Sequence, residues 1–320
     1  MPCYYPIDGW RSKHVNPNGK RSIVFTKAEA FVDMPIKVPC GKCIGCKLER
    51  SKQWAIRCVH EASLHQDNMF LTLTYSDEHL NEAASLNKKH FQDFMKRLRK
   101  YAHPTKIRYF HCGEYGKNDP SKPKHRQTYK ASDLGRPHYH AIIFGYRFDD
   151  LELYKEKGGN KIYMSPACEK IWPFGYNTIG NVTFESAAYV ARYITKKISG
   201  EMAKDHYTRV DPETGEIWEL QEEYTTMSRR PGIGAEWFKK FKNDCYPKDF
   251  VTFKGKKLKP PKYYDGLLEE EDIEQFEFIK RQRSIKAKQN QEDNNLDRLR
   301  VKEKVKDAQN KKLIRELDYE

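Results

Sequence analysis

Residues 135–145, GRPHYHAIIFG, place two histidines one residue apart at the head of an apolar run. Successive side chains in a β-strand alternate between faces, so His138 and His140 lie on one face and Tyr139 on the other. Two imidazoles on one sheet face are either half-buried side chains with ordinary hydrogen bonds or part of a metal site, because neutral imidazole is a frequent metal ligand. The spacing alone does not decide between these alternatives.

The charge of the chain favours a polyanionic partner. Its 320 residues include 59 Lys and Arg and 45 Asp and Glu, a net charge of +14, and 13% of the residues are aromatic. Residues 267–320 carry 13 basic and 14 acidic side chains, so the positive excess lies in residues 1–266. No stretch is apolar and long enough to span a bilayer, and the start, MPCYYPIDGWRSKH, lacks the apolar core of a signal peptide. These features predict a cytoplasmic nucleic-acid protein with no membrane partner.

Three of the eight cysteines form the sequence CGKCIGC at residues 40–46. In a reducing cytoplasm such clustering indicates a metal site more often than a disulfide framework. A structural zinc ion takes four ligands, and Cys40, Cys43 and Cys46 supply three, with Cys3 as the first candidate for the fourth. An iron–sulfur cluster and unligated thiols are the alternatives. We expect a small Cys-rich zinc module at the N-terminus.

Apolar periodicity predicts strand, helix, strand, strand, helix and strand after this module. One helix spans Lys88 to Tyr101, and four of its side chains form the stripe expected in the core: Phe91, Phe94, Met95 and Leu98. The order of elements is that of a split βαβ sheet. We therefore predict an α+β fold, with an antiparallel ferredoxin-like sheet whose helices cover one face while the other face is open to a substrate.

The stretch SAAYVARYITKKIS lies in a helix predicted at 185–198. At 100° per residue, Tyr189 and Tyr193 fall close together with Lys196 and Lys197, opposite an apolar stripe that must face the core. Tyrosines flanked by lysines and directed away from the core suit a phosphate. The alternative is a solvated helix face that merely contains tyrosine.

The sequence GEYG places Glu114 at the end of a strand that can pair with the strand of His138 and His140. One carboxylate and two imidazoles with open positions would hold Mg²⁺ or Mn²⁺ against a phosphate oxygen. A loop carboxylate in water is the alternative for Glu114 considered by itself.

Four segments in this order, FLTLTY, GEYG, RPHYHAIIFG and YVARYITKK, resemble the successive motifs of the His-hydrophobic-His endonucleases of rolling-circle replication. The tyrosine pair at spacing four resembles the two-tyrosine branch of that family. In particular, the chain resembles the replication initiators of microviruses, the gokushovirus group above all, to which PCGKCIGC and MSRRPGIG are also similar. The resemblance covers roughly residues 1–265.

The resemblance implies that His138, His140 and Glu114 bind the divalent cation. It implies that Tyr189 and Tyr193 are nucleophiles assisted by Lys196 or Lys197, and that each attack leaves a 5′-phosphotyrosine and a free 3′-hydroxyl. The implied function is to nick single-stranded DNA at a phage origin and to rejoin the ends into circles, in the host bacterial cytoplasm. A host replicative helicase and polymerase are further candidate partners, although no residue argues for either.

The resemblance also suggests a division of the chain: a zinc-knuckle module with a basic helix, an endonuclease domain, its basic extension, and a charged helical or disordered tail, at 1–66, 67–200, 201–266 and 267–320. Two other functions are alternatives. A metal-dependent hydrolytic nuclease would not need the tyrosines, and a non-enzymatic single-strand binding protein would not need His138. A relaxase is disfavoured, because there the tyrosine motif lies upstream of the histidines.

Overall fold

The computed structural model describes residues 3–17, 19–81, 83–117, 134–157, 159–196, 201–210 and 214–311. These residues form two compact units, one from residues 3–50 and 277–311 and the other from those between 51 and 276. The helices are α1 Ile44–Ala62, α2 Lys88–Tyr101, α3 Pro166–Ile171, α4 Phe184–Lys196, α5 Glu201–His206, α6 Ala235–Cys245, α7 Lys262–Glu271, α8 Ile273–Gln289 and α9 Leu296–Lys311. The strands are β1 Ile7–Val15, β2 Arg21–Val24, β3 Ala30–Val38, β4 Asn68–Thr74, β5 Arg108–Lys117, β6 Leu134–Phe144, β7 Glu152–Lys157, β8 Asn160–Met164, β9 Asn177–Gly180, β10 Thr208–Val210, β11 Ile217–Glu219, β12 Tyr224–Met227, β13 Val251–Phe253 and β14 Lys256–Leu258.

A seven-stranded sheet in the order β12-β5-β6-β4-β9-β8-β7 forms the centre of the larger unit. Every described pairing within it is antiparallel. The predicted mixed architecture with a large antiparallel sheet is therefore confirmed, while its ferredoxin-like assignment and the four-part division of the chain stay predictions. The sequence predicts a Lys- and Pro-rich loop at 117–134, and most of it falls outside the described residues.

One face of this sheet carries the main core. The stripe predicted on α2 is buried, with Phe91, Phe94, Met95 and Leu98 each at most 2% exposed. It packs with Leu71 and Leu73 of β4, with Tyr139 of β6, and with Trp172 after α3. Burying large apolar side chains on one face of each strand fixes the register, because a slip of one residue would turn them to the other face.

The opposite face is covered as well, so the prediction that helices lie on one face only is wrong. Ala187, Val190 and Ala191 of α4 form a second buried cluster with Phe70 and Ile142 of the sheet. Helix α1 adds Ala55 and Cys58 to the same cluster, and the ring of its Trp54 stacks on Phe110 at 4.9 Å. Both faces of the central strands carry apolar side chains, and each face has to be shielded from water.

A buried carboxylate fixes the loop within MSRRPGIG to helix α1. The side chain of Glu61 is 2% exposed, pairs with the guanidinium of Arg108, and accepts a 2.7 Å hydrogen bond from the N–H of Gly234. Arg108 also donates to the carbonyl of Pro231 at 2.8 Å. Burial alone would raise the pKa of Glu61, but these partners and His65 outweigh burial and lower it.

Replacing Glu61 with alanine is expected to lower the free energy of unfolding by about 3 kcal/mol, because a partly buried guanidinium and a buried N–H lose their acceptor. Urea denaturation followed by circular dichroism measures this change. Glu152 on β7 is exposed, and its alanine variant is the control, expected within about 0.5 kcal/mol of the wild type. Equal stabilities of the two variants would contradict this role for Glu61.

The smaller unit contains a three-stranded antiparallel sheet in the order β2-β1-β3. Helix α9 and part of α8 also lie in this unit, within the segment for which we predict a charged helical or disordered tail. None of the helices in the described part of the chain has the length and apolar composition needed to cross a membrane.

Candidate active site

Strand pairing brings the carboxylate and the two imidazoles together. Glu114 lies inside β5 rather than at its end, directly opposite His138 in the register, while His140 lies opposite Cys112. All three side chains project from the sheet face covered by α4, and they are 1%, 8% and 6% exposed respectively. Alternation along two neighbouring strands is enough to create the cluster.

The three side chains converge on one point. Oε1 of Glu114 lies 2.8 Å from Nε2 of His138 and 2.9 Å from Nε2 of His140. Burial alone would raise the pKa of Glu114, but the charge and hydrogen bonds of the two histidines outweigh burial and lower it to about 2. The two imidazoles therefore favour the ionised form of this buried carboxylate.

Hydrogen bonds at the Nδ1 atoms of the two imidazoles fix the orientation of the rings. Nδ1 of His138 lies 3.1 Å from the carbonyl oxygen of Arg136, which can only accept, so Nδ1 carries the proton. Nδ1 of His140 lies 2.9 Å from Oγ1 of Thr72. Each Nε2 is thus directed at the Glu114 carboxylate, the arrangement in which metal-binding histidines are commonly held.

The chemistry of this donor set fits a small divalent cation. In the described residues, Glu114, His138 and His140 form one of two groups of potential metal ligands whose atoms lie within 4.8 Å of one another. One carboxylate oxygen and two imidazole nitrogens leave further coordination positions open for a phosphate oxygen and water.

Tyr189 lies beside this cluster. The helical wheel predicts a side chain directed away from the core, which is wrong for this residue, since Tyr189 is 6% exposed. Its ring meets His140 edge to face at a centroid distance of 5.1 Å and Phe70 at 6.2 Å. Helix α4 packs on the histidine face through an arc wide enough to include Tyr189 as well as the apolar stripe. Tyr189 therefore belongs both to the buried core and to the candidate site.

The other residues predicted around Tyr189 are less fully placed. Tyr193 follows one turn later in α4, and Lys196 ends that helix, but the side chains of both lie outside the described part of the chain, as does all of Lys197. Arg192 is described, and its guanidinium carbon lies 5.6 Å from the centre of the Tyr189 ring. A cation at this position favours negative charge on the phenol oxygen.

Two contributors were missed by the sequence reasoning. Thr72 orients His140, and the alternation of FLTLT, which places both threonines opposite Leu71 and Leu73, could have indicated it. Gly113 precedes Glu114, and a Cβ atom there would lie 2.8 Å from the ring of Tyr224. Tyr224 packs on β5 from β12, a strand that no motif indicated.

A groove borders the cluster on the same sheet face. It begins at Phe70 and Thr72, runs past Thr178 of β9, and reaches the β7–β8 hairpin at Asn160 and Lys161. Its lining combines hydroxyl and amide side chains and one lysine with the apolar Phe70, Ile162 and Tyr163, and the polar groups are of the kinds that contact the sugar–phosphate backbone of a nucleic acid.

The four cysteines predicted to bind zinc form the second group of potential ligands, in the smaller unit. Sγ of Cys40 lies 4.0 Å from Sγ of Cys46, close to the ~3.8 Å edge of a tetrahedron with zinc–sulfur bonds of ~2.3 Å. Backbone N–H groups of Cys40 and Cys43 donate to the sulfurs of Cys3 and Cys40. Burial would raise the pKa of Cys40, but backbone N–H groups lower it to about 7, whereas burial raises the pKa of Cys3 and of Cys46. The four sulfurs, all within 4.8 Å of one another, fit a metal ion whose positive charge would hold them as thiolates.

Replacing Cys43 with serine is expected to abolish zinc binding and to lower the melting temperature by about 5–10 °C, because a closed structural site contributes folding energy directly. Scanning fluorimetry and elemental analysis measure both effects, with one zinc ion expected per wild-type chain. The control is Cys168→Ala, at a thiol buried in the core of the other unit, which should keep the zinc. Wild-type protein without zinc, or with a brown iron chromophore, would contradict the assignment.

Comparisons with known proteins decide the family. The family model for "Replication-associated protein ORF2/G2P" matches residues 68–198. Replication-associated protein ORF2 of Spiroplasma virus 4 is 36% identical over 266 residues, 78% of this chain and 74% of that protein. Replication-associated protein VP4 of Bdellovibrio phage phiMH2K is 31% identical over 299 residues, 90% and 84% of the two chains.

The chain belongs to the microvirus replication-associated proteins. Replication-associated protein ORF4 of Chlamydia phage 1 is a further relative, 28% identical over 249 residues, 75% of this chain and 56% of that protein. No solved structure matches the chain. The region matched by the family model contains Glu114, both histidines and α4, so the cluster and its neighbouring tyrosine lie inside the part that this replication-associated protein shares with its family.

Proposed function

We propose that this microvirus replication-associated protein initiates rolling-circle replication by nicking single-stranded DNA at the phage origin. One observation carries the proposal: a buried tyrosine lies against a buried carboxylate and two imidazoles that converge on one point. Glu114, His138 and His140 would hold Mg²⁺ or Mn²⁺. When bound, the cation would supply Lewis-acid polarisation of the scissile phosphodiester.

Tyr189 is the proposed nucleophile. The phenol oxygen of Tyr189 attacks phosphorus, one P–O bond forms, and the bond to the 3′-oxygen breaks. A phenol is neutral near pH 7, so Tyr189 gives up its proton to solvent water as it attacks. The 3′-oxygen takes up a proton and leaves as a hydroxyl that a polymerase can extend, with Lys196 or Lys197 proposed as the donor.

The covalent link conserves the energy of the broken bond. A 3′-hydroxyl that attacks the 5′-phosphotyrosine restores the phosphodiester and releases the phenol, so joining needs no ATP. We propose that Tyr193 makes the second cut while Tyr189 still holds the first 5′ end. The positions are four residues apart and therefore on one face of α4, about 6 Å from each other at the backbone.

We further propose that β4, β5, β6 and β9 with their intervening helices are a ferredoxin-like core. The support is topological: β6 lies between β4 and β5, β9 pairs with the other edge of β4, and α2 connects β4 to β5. This is the arrangement of a split βαβ unit. In this arrangement the histidines stand on the central strand pair, where both neighbours restrain them.

The test is a covalent adduct. Single strands labelled at the 3′ end and tiled across the phage genome are incubated with the protein in Mn²⁺ or in EDTA, then boiled in detergent and separated by electrophoresis. Label that migrates with the protein in Mn²⁺ but not in EDTA is the expected result. Cleavage without an adduct would instead support a hydrolytic nuclease, and binding in EDTA without any cleavage would support a single-strand binding protein.

A further inference from the structure

The three-stranded sheet of the smaller unit exposes apolar rings on one face. The register places Arg11 of β1 between Ile23 of β2 and Phe31 of β3. Phe25 follows β2, and its ring lies over Gly9, where a Cβ atom would come within 3.3 Å of it. Phe25 is 57% exposed, Phe31 40% and Ile23 43%. Exposed rings on neighbouring strands form a continuous apolar surface, which indicates a binding site.

The other face of this sheet is shielded along part of its length. Ser12 and Ala30, which are paired in the register, are 8% and 0% exposed, and the pair Trp10 and Val24 is half-buried. Farther along β3, Val32 and Met34 are 59% and 44% exposed, so the shielding is confined to the pairs around Trp10 and Ser12.

The exposed face is also cationic. The guanidinium carbon of Arg21 lies 5.3 Å from the centre of the Phe31 ring. Arg11 and Lys13 share this face by alternation along β1, and Glu29, whose carbonyl oxygen accepts from the N–H of Lys13, adds one carboxylate at its edge. Residues 3–50 carry nine basic and four acidic side chains, so the surroundings favour an anionic partner.

From this combination we propose that the β1–β3 face is a second binding surface for single-stranded DNA. Aromatic rings on a sheet stack on unpaired bases, which a duplex does not offer, and neighbouring cations pair with the phosphates. The proposal shares its substrate class with the proposed function and rests on it in that respect only. It requires neither the Glu114 cluster nor the tyrosines.

Binding is measured by fluorescence anisotropy with a labelled oligothymidylate in buffer without added Mg²⁺ or Mn²⁺, where no cleavage is expected and no chelator removes the zinc. The full-length double variant Phe25→Ala/Phe31→Ala is expected to bind about tenfold more weakly or worse. The matched control is Phe278→Ala in α8, at a phenylalanine of the same unit that is 52% exposed, and it should bind like the wild type. Phe31→Tyr keeps a ring and should restore most of the affinity when Phe25 is intact.

Two further measurements keep the outcome interpretable. Melting temperature and zinc content must be unchanged in the double variant, and wild-type protein is photocrosslinked to bromouracil-substituted strands and mapped by mass spectrometry. Crosslinks at residues 23–31 are expected. Affinity within twofold of the wild type, or crosslinks confined to residues 51–276, would overturn the proposal, and a change of oligomeric state in the double variant without loss of DNA binding would assign the face to a second copy of the chain.

Failure of this proposal is distinguishable from failure of the proposed function. If the sheet binds DNA but no adduct forms in Mn²⁺, the second DNA-binding surface is supported and the nicking function is contradicted. If an adduct forms and the double variant binds DNA normally, the nicking function is supported and the second DNA-binding surface is contradicted.

Discussion

Replacing His138 or His140 with alanine is expected to reduce metal-dependent cleavage by about 10³-fold or more, because the cation loses one of three ligands and with it several kcal/mol of transition-state stabilisation. Affinity for the uncut strand in EDTA should stay within about tenfold, since phosphate contacts elsewhere supply most of it. Single-turnover cleavage in Mn²⁺ and anisotropy in EDTA measure the two quantities. Wild-type cleavage in either variant would contradict the metal assignment.

Two controls separate this effect from general damage. His79 is exposed and hydrogen-bonded to Ser76, away from the cluster, and His79→Ala should cleave normally. Thr72→Val removes the hydroxyl beside Nδ1 of His140 while keeping the shape of the side chain. It should weaken the apparent affinity for Mn²⁺ about 10- to 100-fold and recover at saturating Mn²⁺, which a merely structural role would not do.

The tyrosine pair gives the second large effect. The double variant Tyr189→Phe/Tyr193→Phe is expected to form no covalent adduct, whereas each single variant should still cut a short strand once. Both single variants should fail to release closed circles, because one phenol cannot hold the first 5′ end and also cut the regenerated origin. Adduct formation on oligonucleotides and circle release from a two-origin substrate measure these steps.

The exposed Tyr101 at the end of α2 provides the control: its phenylalanine variant should be normal in both assays. A single variant at residue 189 or 193 with full circle-forming activity would show that the other tyrosine has a structural role. Because Tyr189 also packs on His140, the melting temperatures of both single variants are compared with that of the wild type.

Local periodicity predicted much of the fold. Helix α2 begins and ends at the predicted residues, because a single apolar stripe with a polar face has only one way to pack. The antiparallel pairing of the GEYG strand with the histidine strand was also accessible, since alternation and neighbouring positions in the chain both favour it. Strands β7 and β8 were missed because their residues, such as Glu152, Lys155 and Lys161, are largely exposed and show no apolar alternation.

The candidate site was predicted where it depends on one element and missed where it depends on two. His138 and His140 share a face because they share a strand, which the sequence shows directly. The position of Tyr189 depends on how α4 lies against that strand, and a helical wheel contains no information about its neighbour. The wheel therefore directed the phenol away from the core, whereas the phenol side of α4 lies against Phe70 and His140.

Strand β6 places the two imidazoles on one side and anchors Tyr139 on the other, where the phenol lies 2.6 Å from the hydroxyl of Tyr75 and accepts from the N–H of Asn87 at 2.9 Å. One backbone segment thus sets both the ligands and a core contact. Inserting one codon just before His138 would exchange the two sides of the strand. The phenol would then face the carboxylate of Glu114 and both imidazoles would enter the core, so a single added residue would have the chemical effect of deleting both metal ligands at once.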